Sequence, residues 1–231
     1  MSTFLQLCQR LSSEVGGAGT SPSAVTSQTG MALRYVNWIA SAWLDIQRMH
    51  DDWKFMRGSF TVNTVADDGA YVYTDCTDTA TSSAIASFRW WHRDTFKSYL
   101  QSAGVGSEIP LDYIDYDCWY RQYNTGTQTS SSPWCFTIDH SNGFRLGPKP
   151  SAVYVVSGEF QKAATTLAAD GDTPSAPSEF HDAIVYLAMK KYARYAGAPE
   201  IYDDVKGEYR RIISEMERTQ LPELLMAGPL T

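Results

Sequence analysis

The chain has 231 residues, of which 43% are hydrophobic and 13% aromatic, enough for one large domain or two small ones with a real core. Its formal charge of −7 and pI near 5.0 argue against a protein that grips nucleic acid, because phosphate contacts need clustered Lys and Arg. No apolar run approaches the roughly 20 residues of a membrane span, and the first residues lack a secretion signal. We therefore expect a soluble protein that is not secreted.

Two amphipathic patterns near the N-terminus predict helices. Ser2 or Thr3 can cap the first, and Gly16-Gly17 ends it. A crossing loop rich in Gly, Ser and Thr follows, and residues 30–55 then carry the longest apolar stripe of the chain, in steps of three and four. The shared face of the first helix is Phe4, Leu7, Cys8 and Leu11, and the stripe of the second is Val36, Ile39, Trp43, Ile46, His50 and Trp53. We expect His50 to be a core histidine with a hydrogen-bond partner.

From Gly58 the periodicity changes from 3.6 towards 2, which predicts strands. Residues 59–63 and 70–74 alternate around Asp67-Asp68-Gly69, a turn signal, and are interpreted as a hairpin. Asn142-Gly143 marks a second hairpin turn. The other predicted elements are strands at 133–138, 144–146 and 152–161 and a short helix at 111–123. Residues 88–100 fit a strand through the alternation of Phe88, Trp90 and His92 and a helix through the shared face of Trp91, Thr95 and Tyr99, and the strand is the preferred interpretation. The middle of the chain is therefore β-rich.

The C-terminal part predicts a helical hairpin. Its first helix spans residues 178–196, with Ser178 as N-cap and Gly197 as its end, and Pro199 occupies the first position of the second, which ends at Gln220. The residues that recur at helical spacing are Phe180, Ile184, Leu187, Ala188 and Lys191 in the first helix and Ile201, Val205, Glu208/Tyr209, Ile212 and Met216 in the second. Two short helices bury too little surface to offset roughly 1–2 kcal/mol of backbone entropy per residue. The hairpin thus needs a partner, and the stripe of residues 30–55 is the natural one.

These patterns predict an α+β fold in which N- and C-terminal helices form one bundle around an inserted β-rich domain. The expected domains are 1–57 and 166–220, which build the bundle, the insertion 58–165, and a tail at 221–231. The tail is apolar and interrupted by prolines, so we expect it to dock on something else. Its notable residues are Leu221, Pro222, Leu224, Leu225, Met226 and Leu230.

The candidates for metal binding are weak. Cys118, Cys135 and His140 could be drawn as a zinc site, but their spacing matches no common ligand pattern. The acidic pairs Asp115/Asp117 and Asp75/Asp78 lack the glycine and terminal glutamate of a calcium loop, so solvated caps are the simpler interpretation. We expect no metal and no cofactor.

Catalytic candidates are equally weak. The four histidines are widely separated, no Ser or Cys near them has a nucleophile-elbow context, and no glycine-rich phosphate loop occurs. The aromatic run Phe88, Trp90 and Trp91 could be a stacking platform for a sugar or a single strand, although core or interface packing is the commoner use of such a run. We expect a protein that is not an enzyme.

The order of several packing motifs resembles the head-to-tail adaptor (connector) proteins of tailed bacteriophages, including the tail tubular protein A type. In the first half the motifs are Phe4–Leu11, the helix that starts at Thr29-Gly30 and carries Val36, Asn37, Trp38, Ala42-Trp43 and Ile46-Gln47, and Asp52–Met56. In the second half they are Tyr113–Asp117, Pro148-Lys149-Pro150 before Tyr154-Val155-Val156, Pro174, Pro177, and His181–Met189 with Tyr192-Ala193. The resemblance spans nearly the whole chain.

The resemblance implies a structural virion protein in the neck of the particle, assembled in the host cytoplasm. Such adaptors form a ring, typically of twelve copies, between the portal protein and the tail nozzle or tail tube, and genomic DNA passes through the lumen without specific binding. The β-rich part would face the tail, and the C-terminal segment would extend along the portal, which makes the tail residues named above the candidate portal contacts. The alternative is a carbohydrate-binding or depolymerising tail module, suggested by the aromatic β-rich insert.

Overall fold

A computed structural model describes residues 1–17, 19 and 21–222. The described chain mixes helix and sheet, which confirms the α+β class. It divides into two compact units, one formed by Met1–Met56 and Ala164–Thr231 and the other by Arg57–Ala163. Within the described ranges no helix combines the length and the apolarity that a membrane crossing requires.

Four helices build the first unit, here called the helical unit. They are α1 (Phe4–Glu14), α2 (Gly30–Met49), α4 (His181–Ala196) and α5 (Pro199–Gln220). Thr3 caps α1 through a capping box with Gln6, as its sequence allows. Gly197 takes the left-handed conformation that ends α4, and Pro199 stands in the first turn of α5. The predicted ends of the C-terminal helices are confirmed.

Helix α2 packs against α1 and α4, and α4 also packs against α5. The predicted stripe of α2 forms the centre of this core, where Trp43 is only 1% exposed. Polar contacts join the same helices: Arg10 of α1 makes a bidentate ion pair with Asp182 of α4, and Lys191 of α4 pairs with Asp45 of α2 at 2.6 Å. The helices are thus joined by apolar contacts in the core and by ion pairs at the surface.

The structure corrects the start of α4 and the end of α2. Ser178 is not an N-cap, because residues 178–180 form a separate 3₁₀ turn that follows Pro177 and leads into α4. Helix α2 stops at Met49 instead of running to residue 55, and His50 is extended. Trp53 is nevertheless fully buried, since the chain bends back and its indole N–H donates to the carbonyl of Ile46 at 3.0 Å. The stripe at helical spacing therefore correctly predicted that Trp53 is buried, but it predicted a helix that is too long.

A buried histidine fixes the N-terminus of the helical unit. His181 is 1% exposed, its Nδ1 accepts the amide N–H of Ser2 at 3.3 Å, and its Nε2 lies 3.1 Å from the carbonyl of Ala176. An acceptor Nδ1 and a donor Nε2–H describe a neutral imidazole. Burial lowers the pKa of His181 below its ordinary value, because a charged ring would lose its water.

The second unit, here called the β unit, contains two sheets and one helix, α3 (Tyr116–Tyr123). The longer strands are β1 (Arg57–Asn63), β5 (Trp90–Leu100), β8 (Cys135–Ile138), β9 (Phe144–Gly147) and β10 (Tyr154–Gln161). The two-residue strands are β2 (Ala70–Tyr71), β3 (Thr77–Asp78), β4 (Ser83–Ala84), β6 (Ile109–Pro110) and β7 (Asp112–Tyr113). One sheet has the order β4-β3-β1-β10-β5-β6, and the other has the order β2-β9-β8-β7.

Most predicted strands of this unit are confirmed, and so is the β8–β9 hairpin, in which Asn142 adopts a positive φ of 59°. The predicted hairpin of residues 59–63 and 70–74 is wrong. Strand β1 pairs with β10 and β3, whereas β2 pairs with β9 in the other sheet. The turn signal at Asp67 redirects the chain between sheets, and Tyr71 then stacks on Phe144 with ring centroids 5.5 Å apart. Burial of that ring decides the partner of β2.

The predicted helix at 111–123 is shorter in the structure. Residues 112–113 form β7, which pairs in parallel with β8, and α3 begins only after Asp115, whose carboxylate accepts the amide N–H of Asp117.

The aromatic run at residues 88–91 belongs to the core of the β unit. Trp91 is buried and contacts Phe60 and Phe88 with ring centroids 4.6 and 4.5 Å away.

Replacing Trp43 by alanine should destabilise the protein by about 3–5 kcal/mol, since the change leaves a cavity in the fully buried core of the helical unit. Chemical denaturation followed by circular dichroism measures the loss. The matched control is Asn37→Ala, an exposed position on the same helix, which should change stability by less than about 0.5 kcal/mol. An unchanged unfolding midpoint for Trp43→Ala would contradict the packing of α2 described above.

Stability should also fall in mild acid because of His181. Its pKa is lower in the folded than in the unfolded chain, so below about pH 6.5 the unfolded chain binds a proton that the folded chain does not. The contribution is complete above pH 6.5 and is lost towards the folded pKa, with a limiting slope of about 1.4 kcal/mol per pH unit. His181→Gln should remove this part of the pH dependence of the unfolding free energy, while His140→Gln, at an exposed position, should leave it in place.

Candidate interaction site at the end of the last helix

The residues weighed as metal ligands have structural roles or lie apart. Cys118 is exposed on α3, whereas Cys135 is buried with its Sγ 3.2 Å from the carbonyl of Gly147. Asp115 caps α3, and Asp78 is buried beside Lys162 at 3.2 Å. Among the described residues no three His, Cys, Asp or Glu side chains are grouped so that they could hold a metal ion.

The thiols and imidazoles likewise serve packing. Burial raises the pKa of Cys8 and of Cys76 to about 12, so both remain thiols, which are poor nucleophiles. His92 lies 3.2 Å from the amide oxygen of Gln161 across two paired strands. Cys8 and Cys76 are thus buried thiols, and His92 makes a structural hydrogen bond.

A polar cavity of about 440 Å³ opens in the β unit beside α3. Its lining includes Asp68, Trp119, Arg145 and Lys149. A sugar site needs an aromatic face free for stacking, but Trp119 is only 6% exposed and its indole N–H donates to the carbonyl of Leu146. The guanidinium of Arg145 lies over the Trp119 ring and its Nε donates to Asp139. These contacts give the carbohydrate alternative no support.

An apolar groove of the helical unit lies at the end of α5 and is here called the C-terminal groove. Its volume is about 490 Å³. One wall is the segment that follows α2, and the other is the last turn of α5 with the two residues after it. The lining residues are His50, Asp51, Asp52, Glu217, Arg218, Leu221 and Pro222.

Two long-range contacts hold the walls of the groove together. His50 Nε2 lies 2.8 Å from Glu217 Oε1, and the ammonium of Lys54 donates to the carbonyl of Thr219 at 3.3 Å. The His50 ring also meets the edge of Trp53, with centroids 4.9 Å apart. The expected hydrogen-bond partner of His50 is thus Glu217, but His50 is half-buried at the surface and is not a core residue. The position on the apolar stripe gave no sign of this surface role.

The structure places the first two of the predicted tail contacts at this groove. Leu221 is half-buried against the core of the helical unit, its amide donates to the carbonyl of Glu217, and Pro222 is exposed. Leu221 has φ −95° and ψ 151°, the extended conformation that a following proline favours. The remaining predicted contacts, Leu224, Leu225, Met226 and Leu230, lie outside the described residues.

Sequence reasoning missed a second surface, formed by aromatic rings and an arginine on α2 and α4. Trp38 contacts Tyr192 and Tyr195 with centroids 5.8 and 5.5 Å away, and the guanidinium of Arg34 lies 4.3 Å from the centre of the Tyr195 ring. Tyr195 is 53% exposed. Trp, Tyr and Arg are the residue types enriched in protein interfaces, so this surface suits a protein partner. The signal was the i, i+3 spacing of Tyr192 and Tyr195 on the helix face beside the stripe.

Comparison with known protein families gives a match over nearly the whole chain. The SU10 adaptor protein family matches residues 2–230, nearly the whole chain. The match supports a structural role as a phage adaptor, in line with the resemblance noted in the sequence. None of the curated proteins compared with the chain matches it. The chain belongs to the SU10 adaptor protein family.

Proposed function

We propose that this protein is a head-to-tail adaptor that forms a ring between the portal and the tail of a phage particle. The observation that carries the proposal is the family match over residues 2–230. Twelve copies are expected, as in adaptors of the tail tubular protein A type. The protein would then act through its surfaces, and the structural hydrogen bonds of its described Cys and His side chains agree with that.

In this proposal the two parts of the chain have different partners. Residues 1–57 and 166–220 form a helical bundle on the portal side, and residues 58–165 form the inserted β domain that faces a tail nozzle or tail tube protein. The well-packed core of the helical unit and the separate aromatic core of the β unit support such a division, because each can present a rigid surface.

The tail is the proposed attachment to the portal. The chain carries five large apolar side chains in the eleven residues from 221 to 231, and a partner that covers them would remove an aggregation-prone surface. Each anchored side chain can contribute about 1.5–3 kcal/mol, and the ordering of a few residues costs a similar amount. One tail would therefore bind weakly, while a ring of copies would bind tightly through avidity.

The acidic balance of the chain suits a conduit for DNA. A ring around the genome must let a polyanion slide, and a subunit with a formal charge of −7 offers no clustered positive grip. DNA is thus proposed to pass through the lumen during ejection without specific binding. The proposed location of the protein is the virion neck, which it joins after assembly in the host cytoplasm.

Deleting residues 221–231 from the phage gene should reduce the number of subunits that join portals, because the apolar anchor is lost. The occupancy is measured as adaptor copies per purified particle. Since Leu221 also packs on the helical core, a second deletion of 223–231 keeps the fold of the groove and isolates the anchor. Truncated subunits that fold and still reach wild-type occupancy would show that attachment runs through the helices.

The ring should contain twelve copies. Cryo-electron microscopy of the particle neck, averaged with the rotational symmetry left free, measures this number directly. A carbohydrate-binding or depolymerising module would instead be found on the outer tail, away from the DNA path. Finding the chain there would refute the adaptor assignment.

A further inference from the structure

The C-terminal groove lies where the chain leaves the described structure. We propose that, in the free subunit, this groove binds the apolar side chains of the same chain's residues 223–231, so that the portal anchor is held back until a portal displaces it. The inference rests on the proposed role of the tail, and it adds a binding site and its regulation.

The first support is the position of the exit. Leu221 and Pro222 belong to the groove lining, so residue 223 starts at the groove itself. The last nine residues of the chain, 223–231, can span roughly 30 Å when extended, at about 3.3 Å per residue. No spacer separates the segment from the groove, and a directly linked ligand has an effective concentration in about the millimolar range.

The second support is the fixed conformation of Leu221 and Pro222, the two residues that lead from α5 to the segment. Leu221 is extended, the proline after it restricts its alternatives, and its amide is tied to the carbonyl of Glu217. Fixing these two residues in the described structure removes part of the entropy that docking of the segment would otherwise cost.

The third support is the chemistry of the walls. The nearest polar atoms of His50 and Glu217 are engaged with each other at 2.8 Å, which leaves the imidazole carbons and the stems of Glu217 and Arg218 beside Leu221 and Pro222 as the contact surface. The volume of about 490 Å³ lies within the range of about 300–1,000 Å³ typical of binding clefts. Residues 223–231 offer three leucines and one methionine and only one charged side chain, Glu223.

Arg218 supplies the complementary charge for this segment. It lines the groove and makes no ion pair with a described residue, while the segment brings the carboxylate of Glu223. Asp52 on the opposite wall opposes a carboxylate there, which favours its placement on the α5 side of the groove.

A competition experiment with the full chain tests the site. The probe is a fluorescein-labelled peptide with the sequence of residues 223–231, followed by fluorescence anisotropy. The receptors are the wild-type chain and a full-length variant with Leu224→Ser, Leu225→Ser, Met226→Ser and Leu230→Ser, whose own segment can no longer fill the groove. We expect the peptide to bind the variant with a Kd of about 0.1 mM or tighter, because a segment linked at an effective concentration of about 1 mM then occupies the groove for roughly nine-tenths of the time. Binding to the wild-type chain should be at least tenfold weaker.

A matched pair of substitutions in the serine variant locates the binding. Pro222→Asp places a carboxylate in the groove and should abolish peptide binding. Ser214→Asp makes the same charge change, from neutral to −1, at an exposed position of α5 outside the groove lining and should leave binding within about twofold. Circular dichroism of both variants confirms that the helices are intact.

Three outcomes would overturn the inference. Equal binding to the wild-type chain and the serine variant would mean that the segment does not occupy the groove, and binding to neither would mean that the groove does not accept it. A wild-type chain that sediments as a dimer, while the serine variant sediments as a monomer, would assign the occupant to a second copy. These measurements use no portal, so they are independent of the occupancy test for the proposed function.

Discussion

The helical unit depends on the contact between α2 and α4, which joins distant parts of the chain. Neither the α4–α5 pair nor α1 with α2 buries enough surface to be stable alone, and the apolar stripe around Trp43 completes both. Residues 57–163, the β unit, are inserted in the chain between α2 and α4. The ion pairs Arg10–Asp182 and Lys191–Asp45 connect the same helices, and their half-exposed side chains select the register of packing more than they add stability.

The β unit is stabilised by its own core, which is built largely from aromatic rings. Its core contains Phe60, Trp91, Phe96, Phe136, Phe144 and Phe160. Edge contacts of Phe144 with Trp91 and Phe96, and the stacking of Phe96 on Phe136, join the two sheets. Close packing leaves room for no side chain at Gly58 and Gly158, where a Cβ would meet the rings of Phe160 and Phe60 within 3 Å. Short edge strands such as β4 and β6 limit pairing with other chains along the sheet edges. Such a unit is suited to offer a stable surface to a partner.

The proposed function is inferred from the family of the chain and from two of its surfaces, and it does not depend on any single side chain. The groove at the end of α5 exists because His50 and Lys54 reach across to Glu217 and Thr219, which fixes the last turn of the helix. The same contacts determine where the C-terminal segment begins. A second surface at Trp38 and Tyr195 has the residue types of an interface, and the family membership of the chain gives both surfaces a context, the neck of a phage particle.

The sequence determined the elements whose signals are local. Capping at Thr3, the left-handed Gly197, Pro199 at a helix start and the strands β8, β9 and β10 depend on neighbouring residues, and all are found as predicted. The order of packing motifs also sufficed to suggest a phage adaptor.

Only the tertiary structure decided which elements meet. Strand β2 left its sequence neighbour β1 because Tyr71 is buried against Phe144, and helix α2 ended at Met49 because Trp53 had to return to the core. His50 shared the apolar stripe yet became a half-buried partner of Glu217, a residue 167 positions away. Hydrophobic periodicity records that a side chain is covered, but the partner that covers it is set by long-range packing, which no local pattern contains.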